Sequence, residues 1–279
     1  MRPMPVLFTL AGLLLTVSLQ AQSPPADKHK PVGSLYWSGH TGGYAYRWTE
    51  RDLTATADSS GKPVFSVARA VKQAFGKPDA DNGYTFYEVT FWPLSTVGTL
   101  LSYERDDWWD GGAHPSGNET FETVDMRNPT RPVKLTDLFD AGQIHRALLA
   151  DSIVQHVMTR DKIAPPPTLD ELVKALAGKE FSGEMDGMYS FPEGLLTDFA
   201  FHHIENGKVA VRFLLPHGSE IFRFHHTQLA LLLPIPAALK SAFLQAAGKS
   251  GTMMQSLQRT TRGRKSTLTL QDRGAPPLK

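Results

Sequence analysis

A chain of 279 residues, 41% hydrophobic and 20% charged, is long enough to bury a sizeable core and too apolar to be disordered as a whole. It has no cysteine, which excludes disulfides, thiol catalysis and thiolate metal sites. The net charge of +1 hides an asymmetry: from Lys249 onward seven Lys or Arg face one acid, Asp272, so that tail carries +6 and, with Arg2 set aside, Gln22 to Gly248 carries −6.

At the N-terminus Arg2 precedes an apolar run, Val6 to Leu19, and Ala21 supplies a small residue at a cleavage position, which predicts a secretory signal peptide over residues 1–21. The run is shorter than the roughly 20 apolar residues of a membrane span, so no transmembrane segment is expected after cleavage. Residues 22–33 are polar and contain three prolines, as a linker does.

Tyr44 to Thr49 and Asp52 to Ala57 have strand character, with a turn at Gly42-Gly43 ahead of them. Ser66 can cap a short helix with Val67, Val71 and Phe75 on one face, closed by Gly76 and Pro78. Two strands are expected over Tyr84 to Trp92 and Val97 to Glu104. Glu119 to Met126 is a third, whose imperfect alternation leaves its buried face open. A helical stretch begins at Leu135 and keeps its period to Asp161, and Thr168 with Glu171 forms a capping-box pair ahead of a helix that Gly178 ends. Asp198 to Glu205 and Lys208 to Leu215 meet at Asn206-Gly207, a hairpin signal. Leu229 to Ile235 reads as a nearly all-apolar strand and Ala237 to Ala247 as a closing helix. The Ser-, Thr- and Gly-rich basic tail, residues 249–279, lacks apolar periodicity and is expected to be disordered.

Runs of strands with helices inserted between them predict an α+β fold with a largely antiparallel sheet. Gly111-Gly112-Ala113-His114-Pro115, an alternating strand ending in Asp125, and Leu135-Thr136-Asp137-Leu138-Phe139 together resemble the signature of the RsiV-like family, the C-terminal domain of lysozyme-sensing anti-sigma factors, which also occurs in secreted peptidoglycan deacetylases. The resemblance implies two small packed subdomains: an N-terminal companion over residues 34–80 and the signature domain over residues 81–248. It also implies a lysozyme-like protein or peptidoglycan as partner. Leu215 to Phe222 departs from the acidic, tyrosine-rich motif that lysozyme-sensing members carry there.

Four groups of residues invite a chemical reading. His114, with Asp110 and Asp125 near it, has the character of a general base or metal ligand, or else His114 and Asp125 hydrogen-bond to fix the turn. Tyr103, Trp108 and Trp109, beside Gly111, Gly112 and His114, form a candidate binding platform; of two successive tryptophans in a strand, one faces outward. His202-His203 and His225-His226, with His217 and Glu220, resemble a zinc set in composition only, since adjacent strand residues point to opposite faces. Asp107/Asp110 and Glu119/Glu122 fit a solvated turn as well as a glycosidase pair. No Gly-x-Ser-x-Gly elbow, phosphate loop or dinucleotide fingerprint occurs, so no cofactor, bound metal or nucleic acid is expected. The resulting expectation is a secreted or periplasmic, non-catalytic envelope protein that recognises a muramidase-like protein or a wall glycan. The alternative is a metal-assisted hydrolase of envelope polymers acting through His114 and nearby aspartates.

Overall fold

The computed structural model describes residues 33–74, 86–110, 116–182, 188–216, 227–248, 251–255 and 264–271. The expected signal peptide and residues 22–32 of the linker lie outside these, as do Gly111 to Pro115, His217, Glu220, His225 and His226. The first sheet is the meander β1 (Leu35–Thr41), β2 (Tyr44–Thr49), β3 (Leu53–Ala57) and β4 (Pro63–Ser66), followed by α1 (Val67–Ala74). Ser66 caps α1 by accepting from the Arg69 amide at 3.0 Å, while Asp52 holds the same corner by accepting from Ser66 Oγ and the Ala68 amide.

The second sheet contains β5 (Phe86–Val97), β6 (Leu100–Asp110) and β7 (Ser116–Asp125), longer strands than their sequence signals suggested. It packs on both faces. Tyr46, Trp48, Leu53, Phe65, Val67 and Val71 of the first sheet and α1 share one cluster with Val89, Phe91, Leu101 and Tyr103 of β5 and β6. On the opposite face Leu94 and Phe121 meet Ala200 and Leu214 of a third sheet, β10 (Phe199–Glu205), β11 (Lys208–Leu215) and β12 (Thr227–Pro234). The β1–β2 turn is docked on the β5–β6 turn: Gly42 has φ +62, and a Cβ there would stand 2.3 Å from the Gly98 carbonyl oxygen, so only glycine fits.

The far face of the third sheet carries the helices α2 (Ala141–Ala150), α3 (Ser152–Arg160), α4 (Leu169–Leu176) and α5 (Lys240–Gly248), with the small hairpin β8 (Glu180–Ser182) and β9 (Met188–Ser190) beside them. Thr168 Oγ accepts from the Glu171 amide and Gly178 turns with φ +70, as the sequence implied. The hairpin at Asn206-Gly207 has φ of 47° and 73° at the two turn residues, as a type I′ turn requires. All strand pairs are antiparallel, and with the helices inserted between them the fold is α+β.

Two expectations are corrected, and the expected apolar strand at Leu229 is found with alternating burial. The helical period from Leu135 to Asp161 is not one helix: Asp151, at ψ 137°, ends α2 and caps α3 by accepting from Ile153 N at 2.8 Å. The apolar run of β12 alternates, with Leu229, Leu231 and Leu233 buried and Leu232 39% exposed. The basic tail is ordered over two stretches. Residues 251–255 run along the end of β5, where Met253 and Thr96 exchange hydrogen bonds and the Gln255 amide donates to Leu94. Then β13 (Ser266–Gln271) pairs with β5, giving the sheet order β13-β5-β6-β7. Composition had pointed to disorder because the segment has no amphipathic period. It is held instead by the open edge of β5 and by Ser266, which is fully buried, accepts from Trp48 Nε1 at 2.9 Å and donates to the Thr49 carbonyl.

Deleting residues 264–279 is therefore expected to reopen the β5 edge and leave the Trp48 indole N–H without its partner. The expected cost is about 3 kcal/mol, read as a loss on the order of 10 °C in Tm. A truncated chain melting at the wild-type temperature would refute a structural role for β13.

Candidate functional site

Alternation along β6 decides which side chains can act together. Tyr103, Arg105, Asp107 and Trp109 point one way; Glu104, Asp106 and Trp108 point the other. On the first face Tyr103 is buried and donates to Glu122, and Arg105 binds both Asp107, at 3.0 Å, and Glu122, at 2.6 Å. Trp109 stacks on Tyr87 at 6.0 Å. Tyr103 and the half-buried Trp109 thus pack toward the first sheet, while Trp108, among the described platform residues, lines a cleft. Asp125 pairs opposite Leu100, at the far end of β6 from Asp110 and roughly 34 Å from it at the antiparallel rise, and is held by a two-pronged contact with Arg127. Against the effect of burial, the hydrogen bonds from Arg127 keep the Asp125 carboxyl below its ordinary range. Asp110 and Asp125 cannot serve one centre, and Gly111, Gly112 and His114 fall outside the described residues.

The cleft itself, of about 580 Å³, opens on the even face of β6 just beyond the part covered by β10 and β11. Register builds it row by row: Trp92, Glu104 and Phe121; Thr90, Asp106 and Glu119; Glu88, Trp108 and Gly117. Carboxyl oxygens of Glu104, Asp106 and Glu119 all lie within 4.8 Å of one another, a spacing that a hard cation bridging carboxylates can use. Lys265, one residue ahead of β13, reaches in from the tail. Its Nζ stands 3.0 Å from Asp106 Oδ2 and 4.2 Å from the centroid of the Trp92 ring.

This crowding shifts proton affinities. Burial, then a hydrogen bond and repulsion from Glu119, lift the Glu104 carboxyl far above the usual carboxylic range, so Glu104 holds its proton at neutral pH and shares it with Glu119. Burial and Glu119 also raise Asp106, with Lys265 and Thr90 opposing. Asp107, on the other face, is raised by burial against the pull of Arg105.

His202 and His203 depart from the expected alternation. A bulge between Phe201 and His203 brings the two rings together, with their Nδ1 atoms 2.9 Å apart and both residues buried. Burial first, then Arg212 and His203, push His202 down to about 3, so the pair is neutral. Glu220 and the other three histidines of the loose zinc set are not described.

Sequence inspection passed over Trp92, Glu88, Glu104 and Lys265. The i, i+2, i+4 spacing of Glu104, Asp106 and Trp108 was a usable signal for one face; nothing local could link Lys265 to them.

No family model matches this chain, and no curated protein matches it. Among solved structures it is similar to a member of the DUF3298 family from Bacteroides fragilis, at 15% identity and a TM-score of 0.29. The match covers 66% of this chain and 63% of that one. No helix among the described residues is long and apolar enough to cross a membrane.

Because the folded pKa of Glu104 is raised above the ordinary 4.5 of a glutamate, the folded state holds this proton where the unfolded state has released it. The contribution of Glu104 to stability is complete below about pH 4.5 and is lost as pH rises toward the raised folded value. Glu104→Gln, which cannot ionise, is expected to melt several degrees above wild type at pH 9 and within about 2 °C of it at pH 4.5. Parallel pH profiles for the two proteins would rule out a buried, proton-holding Glu104.

Proposed function

We propose that this chain is a secreted or periplasmic cell-envelope protein that recognises a basic protein partner of the muramidase kind at the acidic cleft of β6, without catalysing a reaction. The observation that carries the reading is the position of Lys265, whose ammonium lies between the Asp106 carboxylate and the face of Trp92. A carboxylate and an indole placed about one ammonium form a general receptor for Lys or Arg side chains, since the charge and the ring quadrupole attract the same cation. Glu88 and the proton-sharing pair Glu104 and Glu119 extend the carboxyl surface, and Trp108 adds an aromatic wall. The export signal at residues 1–21 supports the compartment.

The proximity of the Glu104, Asp106 and Glu119 carboxyl oxygens favours a second reading, a metal-assisted hydrolase of envelope polymers. In that reading the acids of β6 and β7 replace His114 and Asp125. A rise in Tm with millimolar Ca²⁺ or Mn²⁺ that disappears in Asp106→Asn would support it; an unchanged Tm would count against it.

Calorimetric titration of the mature chain with purified lysozyme at low salt tests the principal reading. Binding is expected to weaken at least about tenfold with Trp108→Ala and less than about twofold with Trp109→Ala, and to fall steeply as salt rises. Absence of binding, or equal losses from the two tryptophans, would dismiss this cleft as the recognition face.

A further inference from the structure

We propose that Lys265 is an internal ligand of the cleft, so that an incoming lysine or arginine of a partner binds by displacing the chain's own ammonium. This rests on the recognition reading above and specifies how the same site is gated. Three observations carry it. Among the described residues the Lys265 side chain is held at its tip, by Asp106 and Trp92, and it remains 50% exposed, so the ammonium can leave through solvent. The backbone that follows is fixed independently. Ser266 is fully buried on Trp48 and Thr49, and the Thr267 amide donates to the Glu50 carbonyl at 3.0 Å. Just before it, Arg264 lies 5.8 Å over the Tyr36 ring. The strand therefore stays paired while the side chain swings away.

The third observation concerns charge. Lys265 is the cation on the cleft wall itself, facing Glu88, Glu104, Asp106 and Glu119, while Arg212 of β11 acts on Glu104 from the neighbouring sheet. When Lys265 leaves, Asp106 loses its ion pair and keeps the Thr90 hydroxyl on Oδ2 at 3.3 Å, while among the described residues its buried Oδ1 has no hydrogen-bond partner to compensate. A neutral ligand cannot make up that loss, whereas a partner cation replaces the ammonium with like for like. The internal lysine thus lowers affinity for every ligand and lowers it least for cationic ones, since apparent affinity falls with the fraction of clefts that are open.

The test uses the full mature chain, with hexalysine as the probe and hexaglutamine as the control. Reductive ¹³C-dimethylation retains the lysine charge and gives each lysine an NMR signal. The Lys265 methyl signal, assigned by its absence in Lys265→Arg, is expected to be shifted upfield by the Trp92 ring and to move to the position of a free lysine as hexalysine is added. By calorimetry Lys265→Met is expected to bind hexalysine roughly five- to tenfold more tightly than wild type. Wild type that binds hexalysine while the Lys265 signal stays in place, or a Lys265→Met protein of wild-type Tm that binds no tighter, overturns the internal-ligand proposal and leaves the recognition reading standing. If neither protein binds hexalysine, both fall.

Discussion

The structure depends on the sheet β13-β5-β6-β7 being covered on both faces. A strand with two buried faces must satisfy two different environments at alternate residues, and β5 and β6 do so: Val89, Phe91, Leu101 and Tyr103 serve the cluster with the first sheet, while Leu94 and Ser102 serve the third sheet. Ser102 illustrates how polar groups are accommodated there. It lies fully buried beside Thr123 Oγ1 at 2.8 Å and accepts from the Phe201 amide at 3.2 Å, so the sheet–sheet contact is hydrogen-bonded as well as apolar. A register slip of one residue in β6 would exchange the two sets and break both clusters.

The cleft follows from that constraint. The strands β5 and β6 are longer than the third sheet that covers them, so their even-numbered face continues past the apolar contact and comes partly into water. The residues on that extension change accordingly, from Leu94 and Phe121 to Glu104, Asp106, Glu119 and Trp108. Half-buried carboxyls so close together cannot all ionise, which is why Glu104 keeps a proton and Lys265 is drawn in. Charge compensation from the far end of the chain couples the electrostatics of the site to the pairing of β13. The same strand also supports the core, through Leu268 against the first cluster and Ser266 against Trp48.

Much of the scaffold was legible because its signals are local. Asn206-Gly207, the Ser66 and Thr168 caps and Gly178 each settle a few dihedrals by their own chemistry, and each is found where its residues place it. Errors arose where a local pattern was overridden. Asp151 interrupts an apolar period because its side chain competes for helix donors, and a bulge places His202 and His203 together where simple alternation sends them apart. Sequence identified Trp108 and Trp109 as a split pair but could not say which of them packs against the first cluster, since that depends on which face of β6 the first sheet covers.

By itself, then, the sequence determined the α+β class, most strand and helix positions and the turn chemistry, all of which are set by neighbours within a few residues or by composition. Only the tertiary structure decided that a basic, aperiodic tail becomes a strand, that Asp125 is parted from Asp110 by the length of β6, and that Lys265 meets Asp106 across 159 residues of chain. Those outcomes are contacts between distant segments. They are favoured by an open strand edge, a buried indole N–H and a cluster of carboxyls, none of which exists until the sheets have closed.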